Sequence, residues 1–284
     1  MAKKIFMFPG QGSQSAGMGG KELFDQFPNE VAIADEVLGY SIQDLCLNDP
    51  EKQLTQTEYT QPALYVVNHL LYLSKYQNQI PDYIIGHSLG EYNALLLAGA
   101  FEFAEGLKMV KKRGALMSLA KEGTMAAIIG VDIEVLKKIL SENNLSKIDI
   151  ANINSFKQTV ISGSEQDIKT ARDVFEKVGN IIFFPLNVSG AFHSRYMQGV
   201  ADQFSDFIKN FSFSNIQIPV ISNYSAKPYS NESIHENLVK QIYNSVQWVA
   251  SIQYCKEQDS DCEFTEVGPG KVLTNLIKKI EMNS

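Results

Sequence analysis

Residues 83–99 read YIIGHSLGEYNALLLAG, and one serine in this stretch, Ser88, stands between two glycines. It falls where a short apolar run becomes a longer, helical-looking one. A surface turn would be more polar, and a buried strand-to-helix connection has little use for a hydroxyl. Gly86-His87-Ser88-Leu89-Gly90 matches the G-x-S-x-G pattern, and it sits after a predicted strand and before a predicted helix, the context that pattern requires. A sharp turn there strains the backbone at the serine, and its neighbours must be small so that strand and helix can pass. The helix N-terminus then aims free N–H groups at any oxyanion that forms. Ser88 is therefore the candidate nucleophile, and the motif indicates acyl chemistry without naming a substrate.

Working outward, residues 4–8 read as a buried strand ending in a loop rich in Gly, Gln and Ser. Helical patterns follow in QPALYVVNHLLYLSKY (61–76), from Glu91 onward, and over about 103–121. Strands alternating with helices predict an α/β fold, a mainly parallel sheet covered on both faces. The middle differs. TMAAIIGV (124–131), KIDIANI (147–153), KQTVISG (157–163) and NIIFFPL (180–186) read as strands. DIEVLKKILSEN (132–143) and SEQDIKTARDVFEKVG (164–179) read as helices, the second with a capping-box start. The order β-α-β-β-α-β is the split, ferredoxin-like pattern. It predicts a small subdomain over 124–187 inserted into a large one formed by 1–123 and 188–284.

The 284 residues suffice for one such α/β unit with an insert. A net charge of −7 gives no support to nucleic-acid binding. Three cysteines, Cys46, Cys255 and Cys262, lack metal-ligand or redox spacing, so no metal site is expected and free thiols in a reducing cytoplasm are. The apolar run after Lys3 and Lys4 stops at Pro9, too short for a signal peptide, and no stretch is long enough to span a membrane.

A serine hydroxyl needs a base. Of the four histidines, His69 lies in an apolar helical run, His87 adjoins the serine at a turn that points the two side chains apart, and His235, in SNESIHENL, sits where a polar loop becomes a helix. His193, in NVSGAFHSRYM (187–197), follows the strand returning from the insert, where a loop delivers side chains into a cleft between subdomains. It is the candidate base. No Asp or Glu between residues 88 and 193 stands out in a strand-end loop, which leaves open whether a carboxylate or a backbone carbonyl orients the imidazole.

Seven stretches, in order, resemble the malonyl-CoA:acyl-carrier-protein transacylases over nearly the whole chain: FPGQGSQ (8–14), TQPAL (60–64), GHSLGEY (86–92), KRGALM (112–117), GAFHS (190–194), QIYNSVQW (241–248) and EVGPGKVLTNLIK (266–278). The resemblance implies an α/β-hydrolase-like core with a ferredoxin-like insert and a Ser88–His193 pair. It implies that the Gln241 carbonyl holds the histidine, and that the N–H groups of Gln11 and Leu89 form the oxyanion hole. Arg113 matches the arginine that binds the malonyl carboxylate; from the residues alone, a cation on a solvated helix face is an equal reading. GAFHS looks closer to the discrete acyltransferases that serve polyketide synthases, and Phe192 in it would disfavour an α-methyl group by about 1–3 kcal/mol.

The implied activity is transfer of malonyl from malonyl-CoA to the phosphopantetheine thiol of an acyl carrier protein, for polyketide or fatty-acid synthesis, with no bound cofactor. The alternatives are an acyl hydrolase and a non-catalytic docking protein of the same fold. Lys108, Lys111, Lys112, Lys271, Lys278 and Lys279 are candidates for a basic patch facing the acidic carrier.

Overall fold

The central sheet is built on Lys3–Phe8 (β1), whose alternate residues feed two cores. Phe6 and Phe8 join a large cluster with Leu64, Tyr92 and Val220, while Ile5 and Met7 join a second with Ile85, Ile221 and Trp248. A strand buried on both faces reads as a continuous apolar run, which is why IFMF carries no alternation. The computed structural model describes residues 2–120 and 122–282. Its remaining strands are Tyr83–Gly86 (β2), Thr124–Ile129 (β3), Asp149–Ser155 (β4), Gln158–Gly163 (β5), Ile182–Pro185 (β6), Val220–Ile221 (β7) and Cys262–Glu266 (β8).

The large sheet has the order β7-β2-β1-β8, and all its pairings are parallel. Helices Thr57–Lys75 and Phe103–Leu119 pack closely against each other. The second of these was expected to reach Lys121; it ends at Leu119, and residue 121 lies outside the described residues. Neither β7 nor β8 was anticipated. β7 pairs over only two residues, too few for a period-2 pattern to register.

The second sheet is antiparallel, with the order β4-β5-β3-β6. The first and third strands of the unit lie in the middle, the arrangement of a ferredoxin-like βαββαβ element. One face, with Ala126, Ile128 and Ile161, is covered by Leu136, Ile139, Ile168 and Phe175 from helices Ile133–Glu142 and Glu165–Val178. Met125, Ala127, Ala151 and Val160 belong instead to the large core. The chain is thus an α/β core with an insert whose open sheet face closes over it. Among the described residues, no helix is long and apolar enough to cross a membrane.

Candidate active site

The G-x-S-x-G turn is built as tightly as its sequence implies. A Cβ on Gly86 would fall 2.1 Å from the Gly90 carbonyl carbon, and one on Gly90 would fall 2.0 Å from the Phe8 carbonyl oxygen. Only glycine lets β2, the helix Gly90–Leu97 and the end of β1 approach so closely. Between them Ser88 has φ 51°, a left-handed conformation costly for a serine. Asn223, just past β7, holds that strain in place. Its Oδ1 accepts the Ser88 N–H at 2.7 Å and its Nδ2 donates to the Gly86 carbonyl at 2.5 Å.

His193 reaches the serine across 105 residues of chain: Ser88 Oγ and His193 Nε2 are 2.8 Å apart. His193 Nδ1 lies 2.8 Å from the Gln241 carbonyl oxygen. A carbonyl only accepts, so Nδ1 carries the proton and Nε2 presents a lone pair to the hydroxyl. Burial, reinforced by the Arg113 charge and opposed by the Gln241 carbonyl, pushes the imidazole down to about 3. The ring is therefore neutral at pH 7, the form a general base needs. Like the serine, it has a positive φ, 56°.

Arg113 is 0% exposed, which removes it from any solvated helix face. Its Nη1 donates to Gln61 Oε1 at 2.7 Å, and its Nη2 donates to Gln241 Oε1 at 2.8 Å and Ser88 Oγ at 3.1 Å. The acceptors are all neutral, and among the described residues its buried Nε has no hydrogen-bond partner. A guanidinium in this setting is short of a negative charge in front of it. Gln11, Leu89, Phe192 and Leu186 line the same cleft, of about 90 Å³, together with Ser88, His193 and Arg113. All seven residues singled out from the sequence thus meet around one crevice, Gln241 by way of its contacts with His193 and Arg113.

Three residues of this network were missed. Gln61 lies in the TQPAL stretch and Glu91 in GHSLGEY, both quoted above without a role; Asn223 lies in no recognised motif. Glu91 is fully buried in the first turn after the nucleophile. Burial pushes its carboxyl up to about 7, against hydrogen bonds from Asn223, Tyr229 and Gln241 and the charge of Arg113. This carboxyl sits on a helix, not in a strand-end loop, and touches Gln241, not the imidazole. His87, expected to be structural, pairs through Nε2 with Asn154 Oδ1 at 2.8 Å beside Trp248. Among the candidate lysines, Lys111 donates to the Val37 and Leu38 carbonyls and Lys112 lies over Phe207, in a cleft apart from Ser88.

A serine on a strained strand-to-helix turn, paired with a carbonyl-held neutral histidine, defines a protein of serine acyl-transfer chemistry. The acyl transferase domain family matches residues 5–280, and the chain belongs to it. It is 53% identical, over 97% of its own length and 96% of the other's, to the polyketide biosynthesis malonyl CoA-acyl carrier protein transacylase BaeC of Bacillus velezensis. The solved malonyl CoA-acyl carrier protein transacylase from Burkholderia pseudomallei superimposes with a TM-score of 0.96 at 46% identity, covering 100% of this chain and 99% of that one. A malonyl-transacylase solved in complex with a type II polyketide synthase acyl-carrier protein superimposes with a TM-score of 0.92 at 34% identity, over 98% and 93% of the two chains.

Proposed function

We propose that the protein moves a malonyl group from malonyl-CoA to the phosphopantetheine thiol of an acyl carrier protein, through an ester on Ser88, for polyketide synthesis. The observation that carries this reading is the fully buried Arg113 guanidinium, 3.1 Å from the nucleophilic oxygen and bonded to neutral acceptors. A malonyl thioester brings a carboxylate on the far side of its reacting carbonyl. A guanidinium can grip that carboxylate with two parallel hydrogen bonds. An acetyl group would leave the buried cation unpaired.

In the first half-reaction, His193 Nε2 takes the Ser88 proton as Oγ bonds to the thioester carbon. The backbone N–H groups of Gln11 and Leu89 receive the oxyanion. Its collapse breaks the carbon–sulfur bond, and the departing coenzyme A sulfur takes the proton from Nε2. The carrier's thiol then enters and loses its proton to His193. It attacks the Ser88 ester, and the serine leaves reprotonated. One thioester is exchanged for another, so the step is close to thermoneutral and balances without a redox partner. Phe192 beside the base favours an unbranched acyl group. The three free thiols, Cys46, Cys255 and Cys262, suit a reducing cytoplasm.

Brief exposure to malonyl-CoA should add a malonyl mass to the peptide containing Ser88, and none to Ser88→Ala. Adding a carrier protein should discharge the adduct onto the carrier. Free malonate in place of loaded carrier would favour the hydrolase, and no adduct at all would favour the docking protein. Arg113→Ala should narrow the ratio of malonyl to acetyl loading, and an unchanged ratio would remove Arg113 from substrate binding.

A further inference from the structure

Glu91 touches none of the reacting groups, yet it anchors what holds them. Asn223 N–H and Tyr229 O–H each donate to its Oε1 at 2.8 Å, and Gln241 Nε2 donates to its Oε2. The same Gln241 Nε2 donates to the Ser88 carbonyl at 2.8 Å. On the amide's other side, Gln241 Oε1 accepts from Arg113 Nη2, also at 2.8 Å. A guanidinium only donates, while the Ser88 carbonyl and the ionised Glu91 only accept, so the amide between them has a single orientation that satisfies all three.

We propose that Glu91 is a positioning residue for acyl selectivity: it fixes the Gln241 amide and, through it, aims Arg113 at the carboxylate of the incoming acyl group, an inference that rests on the malonyl-transfer reading. Replacing its carboxylate with an amide of the same shape tests the chain of contacts. The oxygen of the new amide can keep the Asn223 and Tyr229 bonds, but its NH₂ then faces the NH₂ of Gln241. Gln241 relieves that clash by turning over. Its NH₂ then faces Arg113, and the guanidinium loses an acceptor that held it in the cleft. The Ser88 carbonyl loses its Gln241 donor as well, which slows both acyl groups alike, so the ratio between them reports the loss at Arg113, the group that reads the carboxylate. Acetyl-CoA makes no use of that grip.

The test is the rate of Ser88 acylation by malonyl-CoA and by acetyl-CoA, followed by rapid quench and intact mass, in the parent, Glu91→Gln, Gln241→Met and Arg113→Ala. Gln241→Met keeps the main-chain carbonyl that holds His193 and removes only the side-chain link, so it carries the test if Glu91→Gln fails to fold. The malonyl-to-acetyl ratio should fall at least five-fold in Glu91→Gln and in Gln241→Met, mainly through a raised KM for malonyl-CoA. A merely structural role would slow both acyl groups alike. A ratio within two-fold of the parent in either folded variant, with a collapsed ratio in Arg113→Ala, overturns the role of Glu91 and leaves the malonyl reading standing. An unchanged ratio in Arg113→Ala overturns the reading beneath it.

Discussion

Ser88 is held from three sides, and each contact comes from a different part of the chain. Asn223 takes its N–H, Gln241 donates to its carbonyl, and His193 faces its hydroxyl. A serine at φ 51° relaxes unless its peptide is clamped, so Asn223 matters for rate as much as for stability. Asn223→Ala leaves the Ser88 N–H and the buried Gly86 carbonyl without side-chain partners. A displacement of the nucleophile by about 1 Å is worth about 100-fold in rate. Asn223→Ala is therefore expected to slow malonylation of Ser88 by about that factor in rapid-quench kinetics, with the protein still folded. A near-parental rate would show that the turn holds itself. Loss of the base is more severe: His193→Ala should cost about 10²–10⁴-fold in the same assay.

At the scale of elements, the crossing of β2, the following helix and β1 tolerates no added atom. The clashes at Gly86 and Gly90 are with backbone, which cannot swing aside as a side chain can. Overpacking of this kind costs about 1–3 kcal/mol and occasionally more. Gly90→Ala is accordingly expected to lower the unfolding free energy by an amount in or above that range, read as a lower midpoint in urea at an unchanged slope. Gly199 is the converse. It sits exposed at the start of the helix Gln198–Ile208, with an ordinary φ and, among the described residues, nothing within 4 Å of an added Cβ. Gly199→Ala should raise stability by about 0.5 kcal/mol, since alanine gives up less backbone freedom on folding. Both glycines of the G-x-S-x-G stretch were legible as close-packing positions because motif and elements are contiguous there. The two-residue β7 was not, although it places Asn223: its partner strand, 136 residues away in the Ile85–Ile221 pairing (221 − 85), does the ordering.

Over the whole molecule, three histidines are held neutral by burial: His193 down to about 3, His69 down to about 4, and His87 below its ordinary value. Between about pH 6.5 and 4.5 the unfolded chain binds protons on His193 and His69 that the native chain refuses, and His87 acts in the same direction. Their contribution to stability is thus complete above 6.5 and fades as the pH falls. Glu91 acts oppositely. Its native carboxyl, pushed up to about 7, keeps a proton that the unfolded chain releases, which offsets one of the three. The net expectation is a thermal midpoint that drops from pH 6.5 to pH 5. His69→Gln, away from the serine's cleft, should flatten the slope of unfolding free energy against pH by up to about 1.4 kcal/mol per pH unit. A slope unchanged by His69→Gln would mean that the imidazole protonates within the fold. We take 124–187 as the small subdomain and 1–123 with 188–284 as the large one. Because Met125, Ala127, Ala151 and Val160 sit in the large core, these melts should give one midpoint by Trp248 fluorescence and far-UV circular dichroism; two separate midpoints would count against a shared core.

By itself the sequence determined the nucleophile's turn, the alternation of strands and helices, and the βαββαβ order of the insert. Each is written in neighbouring residues, where glycine sterics and apolar periodicity act over a few positions. The loop after the insert's returning strand pointed to His193, and motif order added Arg113 and the Gln241 carbonyl, those two only by resemblance. Tertiary structure alone decided that Arg113 is buried rather than solvated, that Asn223 clamps the serine, and that Glu91 lies behind Gln241. A buried polar group must find its hydrogen-bond partners wherever packing brings them, and here those partners lie as many as 153 residues apart.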